Sequence, residues 1–206
     1  CWDVEDLGLT SYRQVANSRI EEEWYSLPVV DGDFKLEPKI EYIDIRFSNL
    51  CNLQCRMCHH IYSSNLYEFN KKLNRGTYDE KVVTVGNNFM EDLNKYLPGV
   101  KSVYFAGGEP LIMPEHKQVL TELHRLGTIK KEKENLDLIP IEIHYNTNLK
   151  VLKNDGLDFI ELWKDFKRVN ICISVDGVDS VGEYQRVGFD TETFYTNTYK
   201  LLNNGF

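Results

Sequence analysis

Four apolar segments alternate along the chain with segments of helical periodicity. The first, residues 40–47, reads IEYIDIRF, and its side chains Ile43, Ile45 and Phe47 fall at every second position, as in a β-strand. Three further strand-like segments cover residues 100–106, 139–145 and 169–175. A repeated order of strand and helix favours parallel strands joined by right-handed crossovers. The sequence therefore predicts an α/β domain with about four βα units.

The segments between the predicted strands carry helical spacing. A helix that begins at Pro114 is predicted to close at Gly127, and the charged run that follows, to about Asn135, is predicted to be a loop. The other predicted helices cover residues 62–73, 87–97, 159–166 and 191–203. In the fourth strand, Cys172 alternates with Ile171 and Ile173 and is predicted to be a buried core thiol.

Composition and charge exclude several classes of protein. Hydrophobic residues make up 42% of the 206 residues, which is ordinary for a globular fold. The 24 basic and 32 acidic side chains give a net charge of −8, which discourages general binding to nucleic acid or anionic membranes. No apolar run approaches the roughly 20 residues that span a bilayer, and no signal peptide is recognisable. Five cysteines, an odd number, fit a reducing compartment, so we expect a cytoplasmic protein.

Three of the five cysteines lie in one short stretch directly after the first predicted strand. Residues 47–60 read FSNLCNLQCRMCHH and place Cys51, Cys55 and Cys58 in the pattern C-x-x-x-C-x-x-C. A four-iron cluster normally takes one thiolate for each iron, so three cysteines leave one iron open. Two other interpretations of this stretch stay open: a helical core stripe of thiols, and a zinc site with His59 or His60 as its fourth ligand.

A polar or glycine motif also follows each of the other three predicted strands. These motifs are Gly107-Gly108-Glu109-Pro110, Asn146-Thr147-Asn148 and Ser174-Val175-Asp176-Gly177, with Arg186 a short helix later. The carboxyl ends of parallel strands meet at one edge of a sheet, where α/β folds place their chemistry. Glycines let the backbone approach a ligand closely. Each motif also has a plainer interpretation, as a turn, a turn cap or, for Arg186, a surface salt bridge.

Taken together, the cysteine loop and the Gly-Gly-Glu-Pro motif resemble the radical S-adenosylmethionine (radical SAM) superfamily. The resemblance implies a partial (βα)6 radical SAM barrel of which about four units are visible. It implies that Cys51, Cys55 and Cys58 hold a [4Fe-4S] cluster whose open iron binds the amine and carboxylate of S-adenosylmethionine. Gly107 and Gly108 would meet the methionine ammonium through their carbonyls.

The resemblance also implies further cofactor contacts. Glu109 would support the glycine loop or the amine. Asn146, Thr147 and Asn148 resemble the Thr-Asn pair at the end of the family's third strand, although the usual following glycine is Leu149 here, and the side-chain amides of Asn146 and Asn148 would bind the cofactor. Ser174 would lie near the ribose or the carboxylate of the cofactor, and Arg186 would pair with that carboxylate. Met57 would pack against the adenine, at a position where many members carry an aromatic residue.

The N-terminal part is predicted to be a separate appendage, residues 1–36, ahead of a radical SAM core, residues 37–206, that is incomplete at its C-terminus. The appendage resembles the closing part of the accessory SPASM and twitch domains through Cys1, Glu5, Gly8, Ser11 and Arg13. In most of the family this domain follows the barrel, so its position here is a departure. Cys1 would be a ligand of an auxiliary iron-sulfur cluster, or otherwise a free thiol.

The activity implied by the resemblance is reductive cleavage of S-adenosylmethionine to a 5′-deoxyadenosyl radical, followed by hydrogen abstraction from a substrate. The expected partners are an electron donor such as a flavodoxin or ferredoxin and a peptide or protein substrate. A small carbohydrate or nucleotide-derived substrate is the alternative. Two other classes remain open: a zinc-stabilised binding module that uses the three cysteines and a histidine, and a radical SAM-like scaffold without catalytic activity.

Overall fold

The computed structural model describes residues 2–15, 40–75, 80–86 and 88–206. The chain divides into two compact units, Cys1–Pro38 and Lys39–Phe206. In the first unit, helix α1 (Trp2–Asp6) carries Glu5, whose carboxylate accepts hydrogen bonds from Ser11 and Arg13. Cys1, predicted as a ligand of an auxiliary cluster, lies outside the described residues.

The second unit contains the strands and the longer helices. Its strands are β1 (Tyr42–Ile45), β2 (Gln54–Cys55), β3 (Ser102–Phe105), β4 (Ile139–Thr147), β5 (Lys153–Asn154), β6 (Leu157–Asp158), β7 (Phe166–Ile173) and β8 (Arg186–Val187). Its α-helices are α2 (Tyr67–Lys72), α3 (Phe89–Asn94), α4 (Pro114–Glu134), α5 (Phe159–Trp163), α6 (Asp179–Gln185) and α7 (Thr191–Asn203). Short 3-10 turns lie at Ser64–Leu66, Leu97–Gly99 and Pro110–Ile112.

Four strands form the central sheet in the order β1-β3-β4-β7, and all three ladders are parallel. The register places Asp44 beside Tyr104, Tyr104 beside His144, and His144 beside Asn170. The predicted α/β fold with parallel strands is therefore confirmed. None of the described helices is long and apolar enough to cross a membrane.

One face of the sheet packs against helices and forms the core. Phe105, Ile143 and Tyr145 point to this face and are fully or almost fully buried, as are Leu120 and Leu123 of α4. Burial of side chains of this size stabilises the fold by roughly 1.5–3 kcal/mol each. Buried and less buried residues alternate along β4, which shows why the period of two in the sequence located the strand.

A polar cluster lies inside this core. His116 is fully buried, and its Nε2 atom lies 2.8 Å from the hydroxyl of Tyr145. The indole N–H of Trp163 donates to the same hydroxyl at 3.2 Å. Burial lowers the pKa of His116 from 6.5 to about 3 and raises the pKa of Tyr145, so both groups are neutral near pH 7.

The prediction that a helix closes at Gly127 was wrong, because α4 continues to Glu134 and ends at Asn135 in a left-handed conformation. Gly127 is buried, and a Cβ atom there would lie 2.2 Å from Cγ2 of Ile139. The glycine therefore allows close packing of the helix on the sheet and does not terminate the helix. The charged residues after it form the last turns of α4.

The prediction that Cys172 is a buried thiol was also wrong, because its side chain is exposed. Successive residues of a strand point to opposite faces, so Cys172 shares a face with Asn170, while Ile171 and Ile173 pack against the core. That opposite face of the sheet, called the open face below, carries polar side chains, of which Asn170 is exposed like Cys172. The prediction placed Cys172 in the core because it stands between two isoleucines.

Candidate functional site

A cavity of about 460 Å³ lies at the carboxyl ends of the four parallel strands. The eleven residues predicted to bind the cluster of the three-cysteine loop or its cofactor all line this cavity: Cys51, Cys55, Met57, Cys58, Gly107, Gly108, Glu109, Asn146, Asn148, Ser174 and Arg186. They come from four separate parts of the chain that follow β1, β3, β4 and β7. The structure therefore brings the predicted residues together in one place, and its volume is in the range of small-molecule pockets.

The three cysteines lie in a loop that its own backbone and two serines hold in shape. The Cys51 N–H donates to Ser64 Oγ at 3.2 Å, and the Cys58 N–H donates to the Cys55 carbonyl at 3.0 Å. Ser63 Oγ donates to the carbonyl of Leu53 at 2.8 Å. The segment 51–58 consists of turns and the short strand β2, so a helical stripe of thiols is excluded.

The two histidines after the loop have different surroundings. His60 is buried, and its Nδ1 atom lies 3.1 Å from Nδ2 of Asn70, whereas His59 is exposed and lines the cavity. Across the described ranges, no group of three or more His, Cys, Asp or Glu side chains is placed to hold a single metal ion. The same finding covers the three loop thiols, so it does not distinguish a zinc site from an iron-sulfur cluster.

The glycine motif after β3 packs directly against the backbone of the cysteine loop. The Gly108 N–H donates to the Ser48 carbonyl at 3.1 Å, and the Glu109 N–H donates to the Leu50 carbonyl at 2.8 Å. A Cβ atom on Gly108 would lie 2.1 Å from the Leu50 oxygen. Gly107 has a φ of +114°, which side chains other than hydrogen rarely allow. Both glycines are therefore required for this contact.

The carboxylate of Glu109 connects the ends of β3 and β4. Its side chain is 1% exposed; Oε1 accepts from Thr147 Oγ1 at 2.7 Å and from the Leu111 N–H at 3.2 Å. Oε2 accepts from the Asn148 N–H at 2.7 Å. Burial raises the pKa of Glu109, while these three donors act in the opposite direction. Both carboxylate oxygens are therefore engaged by the segments that follow β3 and β4.

The segment after β4 is held by its own side chains. Asn148 Nδ2 donates to Asn52 Oδ1 at 2.7 Å, which joins this segment to the cysteine loop. Leu149, which stands where the resemblance implies a glycine, adopts a left-handed φ of +57° and is completely buried. The Leu149 N–H donates to Thr147 Oγ1 at 3.0 Å.

Arg186 lies beside a cysteine of the loop. Strands β2 and β8 pair antiparallel, with Cys55 opposite Arg186, and Nη1 of the guanidinium lies 3.6 Å from Cys55 Sγ. Nε lies 2.6 Å from Oδ2 of Asp176, in an ion pair without the alignment of a hydrogen bond. Asp176 belongs to the motif after β7, but no role of its own was predicted for it.

The remaining predicted residues have fewer contacts. Met57 is 55% exposed and lines the cavity, so the side chain predicted to contact the adenine is accessible from the cavity. The Ser174 N–H donates to the Thr147 carbonyl at 2.8 Å, which fixes the end of β7 beside β4. Asn146 is exposed at the end of β4. Arg46 and Tyr104 also line the cavity and were missed, because neither belongs to a recognisable motif.

Burial raises the pKa of all three loop cysteines above the ordinary value for a thiol. For Cys55 the positive charge of Arg186 acts in the opposite direction. A metal must therefore compete with protons for these thiolates, as metals do in other thiolate sites.

The donor set fits an iron-sulfur cluster with one open iron. Three thiols on one loop line the cavity, and the other described cysteine, Cys172, does not line it. Cys-rich donor sets are typical of Fe–S sites, and the two glycines bring unhindered backbone to the same cavity. Room for a cofactor thus adjoins the thiols.

Fold and site together define a parallel α/β protein that carries a three-thiol loop at a cofactor-sized cavity. The sequence profile of the Radical SAM superfamily matches residues 45–206, and the chain belongs to that superfamily. The predicted superfamily is thereby confirmed. The match does not extend to the first unit, and the SPASM or twitch assignment remains a prediction.

Two curated relatives are GTP 3′,8-cyclases of Clostridium perfringens, from strains SM101 and 13. Each is 25% identical to this chain over 166 residues, which are 81% of this chain and 44% of the relative. The chain therefore spans less than half the length of these relatives.

Two solved structures have a similar fold. Native anSMEcpe with bound AdoMet has a TM-score of 0.51 and 21% identity. The match covers 80% of this chain and 41% of the anSMEcpe chain. Streptococcus suis SuiB bound to precursor peptide SuiA has a TM-score of 0.51 and 15% identity. The match covers 94% of this chain and 43% of the SuiB chain. At these identities the likeness shows the fold.

Proposed function

We propose that this chain carries the cofactor-binding part of a radical SAM enzyme. Cys51, Cys55 and Cys58 would hold a [4Fe-4S] cluster. When bound, the cluster and S-adenosylmethionine together supply reductive cleavage of the sulfonium to methionine and a 5′-deoxyadenosyl radical, which abstracts hydrogen from a substrate. The observation that carries the proposal is that the three thiols and the motifs after the other three strands line one cavity.

The protein's own part in this reaction is to bind and orient its cofactor. The backbone carbonyls of Gly107 and Gly108 would accept hydrogen bonds from the methionine ammonium, because neither glycine has a side chain that could obstruct them. Glu109 would hold that backbone in place through its bonds to the segment after β4. Ser174 and Asn146 line the same cavity and would bind polar groups of the cofactor.

The open face of the sheet would bind the substrate. A second cavity, of about 620 Å³, lies on this face and shares Tyr104 and Asn146 with the first. It also presents His144 and Asn170, whose side chains lie 3.2 Å apart, and the thiol of Cys172. A substrate on this face would therefore adjoin the bound cofactor.

We propose a polypeptide as the substrate. Among the described residues, the second cavity is lined by phenol, amide, imidazole and thiol groups and by no Lys, Arg, Asp or Glu, and such groups suit peptide groups and uncharged side chains. A nucleoside triphosphate, which the names of the 25% identical relatives suggest as the alternative, needs several cationic partners. In the described residues of the first cavity, both guanidiniums are already in ion pairs, Arg46 with Asp44 and Arg186 with Asp176.

The reaction needs one electron from a donor such as a flavodoxin or ferredoxin, and we propose that the protein works in the reducing cytoplasm. The test uses protein purified without oxygen, reconstituted with iron and sulfide and reduced with dithionite. S-adenosylmethionine is then added, and 5′-deoxyadenosine is followed by chromatography. We expect product from the wild type and from C172A, and none from C55A.

The alternatives give different results in the same experiment. Stoichiometric zinc without iron or product would establish the binding module. A bound cluster without product, in the full-length protein, would establish an inactive scaffold. A rise in 5′-deoxyadenosine that depends on added GTP would overturn the polypeptide assignment in favour of a nucleotide substrate.

A further inference from the structure

A small two-stranded sheet attaches the cysteine loop to the segment that follows β7. In β2 and β8, Cys55 pairs with Arg186, and the N–H of Arg56 donates to the Gln185 carbonyl at 2.8 Å. The guanidinium of Arg56 stacks on Tyr184 at 3.9 Å from the ring centre. This backbone pairing fixes where the side chain of Arg186 begins relative to the sulfur of Cys55.

The side chain of Arg186 lies between a sulfur and a carboxylate. Its Nη1 atom is 3.6 Å from Cys55 Sγ, and its Nε atom is 2.6 Å from Asp176 Oδ2. The Arg186 side chain is only 14% exposed, whereas Asp176 is 37% exposed. Because the guanidinium is largely removed from water, its charge acts on the sulfur with little screening.

A guanidinium near a ligand sulfur affects the electron affinity of a cluster. Reduction adds one negative charge to the cluster, and part of that charge is carried by the sulfur ligands. Hydrogen bonds and positive charges at the sulfurs stabilise the reduced form, and negative charges oppose it. Arg186 and Asp176 therefore act on the same sulfur with opposite signs.

We propose that Arg186 raises the reduction potential of the cluster through the sulfur of Cys55, and that Asp176 limits this effect. The proposal rests on the proposed function, because it requires the three cysteines to hold the cluster. It gives Arg186 a role before the cofactor binds, in place of a role confined to the cofactor carboxylate. The electron itself comes from an external one-electron donor of the flavodoxin or ferredoxin class.

The test is a redox titration of the reconstituted cluster, followed by electron paramagnetic resonance without S-adenosylmethionine. At a fixed potential, R186Q should lower the ratio of reduced to oxidised cluster about tenfold, which corresponds to a midpoint about 59 mV more negative for one electron. D176N should shift the ratio in the opposite direction. R168Q is the matched control, because it removes the same charge from an exposed side chain of β7 that does not line the first cavity, and it should shift the ratio far less.

The possible results separate this proposal from others. An R186Q midpoint equal to that of the wild type, with weaker binding of S-adenosylmethionine, would overturn the proposal in favour of a carboxylate ligand. Equal shifts in R186Q and R168Q would also overturn it, because they would show a general effect of charge. If R186Q alone loses the cluster, D176N is the test. An unchanged midpoint in D176N would refute the statement that Asp176 limits the effect of Arg186. Wild-type protein that binds no iron would refute the proposed function instead.

Discussion

Alanine at Gly108 would separate the two loops that meet at the cofactor site. Its Cβ atom would lie 2.1 Å from the Leu50 oxygen and 2.6 Å from the Leu50 carbonyl carbon. Both are backbone atoms, so no side-chain rotation relieves the overlap. The loops must move apart by about 1 Å, since a methyl carbon needs about 3 Å or more from a carbonyl oxygen.

This movement has a cost that follows from the contacts. Overpacking in a tight site costs roughly 1–3 kcal/mol. The separation also weakens the hydrogen bonds from the Gly108 and Glu109 N–H groups to the cysteine loop, each worth about 1 kcal/mol. We therefore expect G108A to lower the free energy of unfolding by about 3 kcal/mol.

The assay is urea unfolding followed by circular dichroism, with iron content measured after reconstitution. G86A is the matched control: Gly86 also lacks a positive φ, and a Cβ atom there would meet nothing within 4 Å. We expect G86A to change stability by less than about 0.5 kcal/mol. If G108A proved as stable as G86A and bound as much iron, the claim that the glycine motif supports the cysteine loop would be wrong.

Two further predictions concern buried groups that titrate. His116 has a folded pKa of about 3 against 6.5 unfolded, so the unfolded chain binds more protons below pH 6.5, and stability falls as the pH drops through 6.5 toward 3. At pH 5 the free energy of unfolding is about 2 kcal/mol lower than at pH 8. Urea unfolding at each pH should show that this difference disappears in H116L and persists in H144Q. E109Q places an amide N–H₂ among the N–H and O–H donors that face Glu109 and should lower stability by about 2 kcal/mol, whereas E132Q, at an exposed position, should not. Equal unfolding midpoints for E109Q and E132Q would show that the carboxylate does not join the strand ends.

The sequence was sufficient to predict the sheet and the set of residues at its carboxyl edge. The period of two in β1 and β4 identified the strands, because one face of each is buried and the other is not. The motifs could then be placed together, because parallel strands end at one edge of a sheet. The grouping of Cys55 with Gly108 and Arg186 is a consequence of this topology.

What the sequence could not predict depends on contacts between distant residues. Gly127 was interpreted as a helix end, because a glycine required for packing against Ile139 has no local signal. Cys172 was interpreted as core, because an apolar strand does not reveal which of its faces is covered. The pairing of Arg186 with both Cys55 and Asp176 was missed, since it depends on the register of β2 and β8.

The central claim is that three thiols and the motifs at the strand ends form one site for a cluster and its cofactor. The most direct measurement is electron paramagnetic resonance of the reduced, reconstituted protein before and after addition of S-adenosylmethionine. We expect about four irons per chain and a signal that changes when the cofactor binds the open iron, in the wild type and in C172A but not in C58A. Stoichiometric zinc, or an iron-sulfur signal that S-adenosylmethionine leaves unchanged, would contradict the claim.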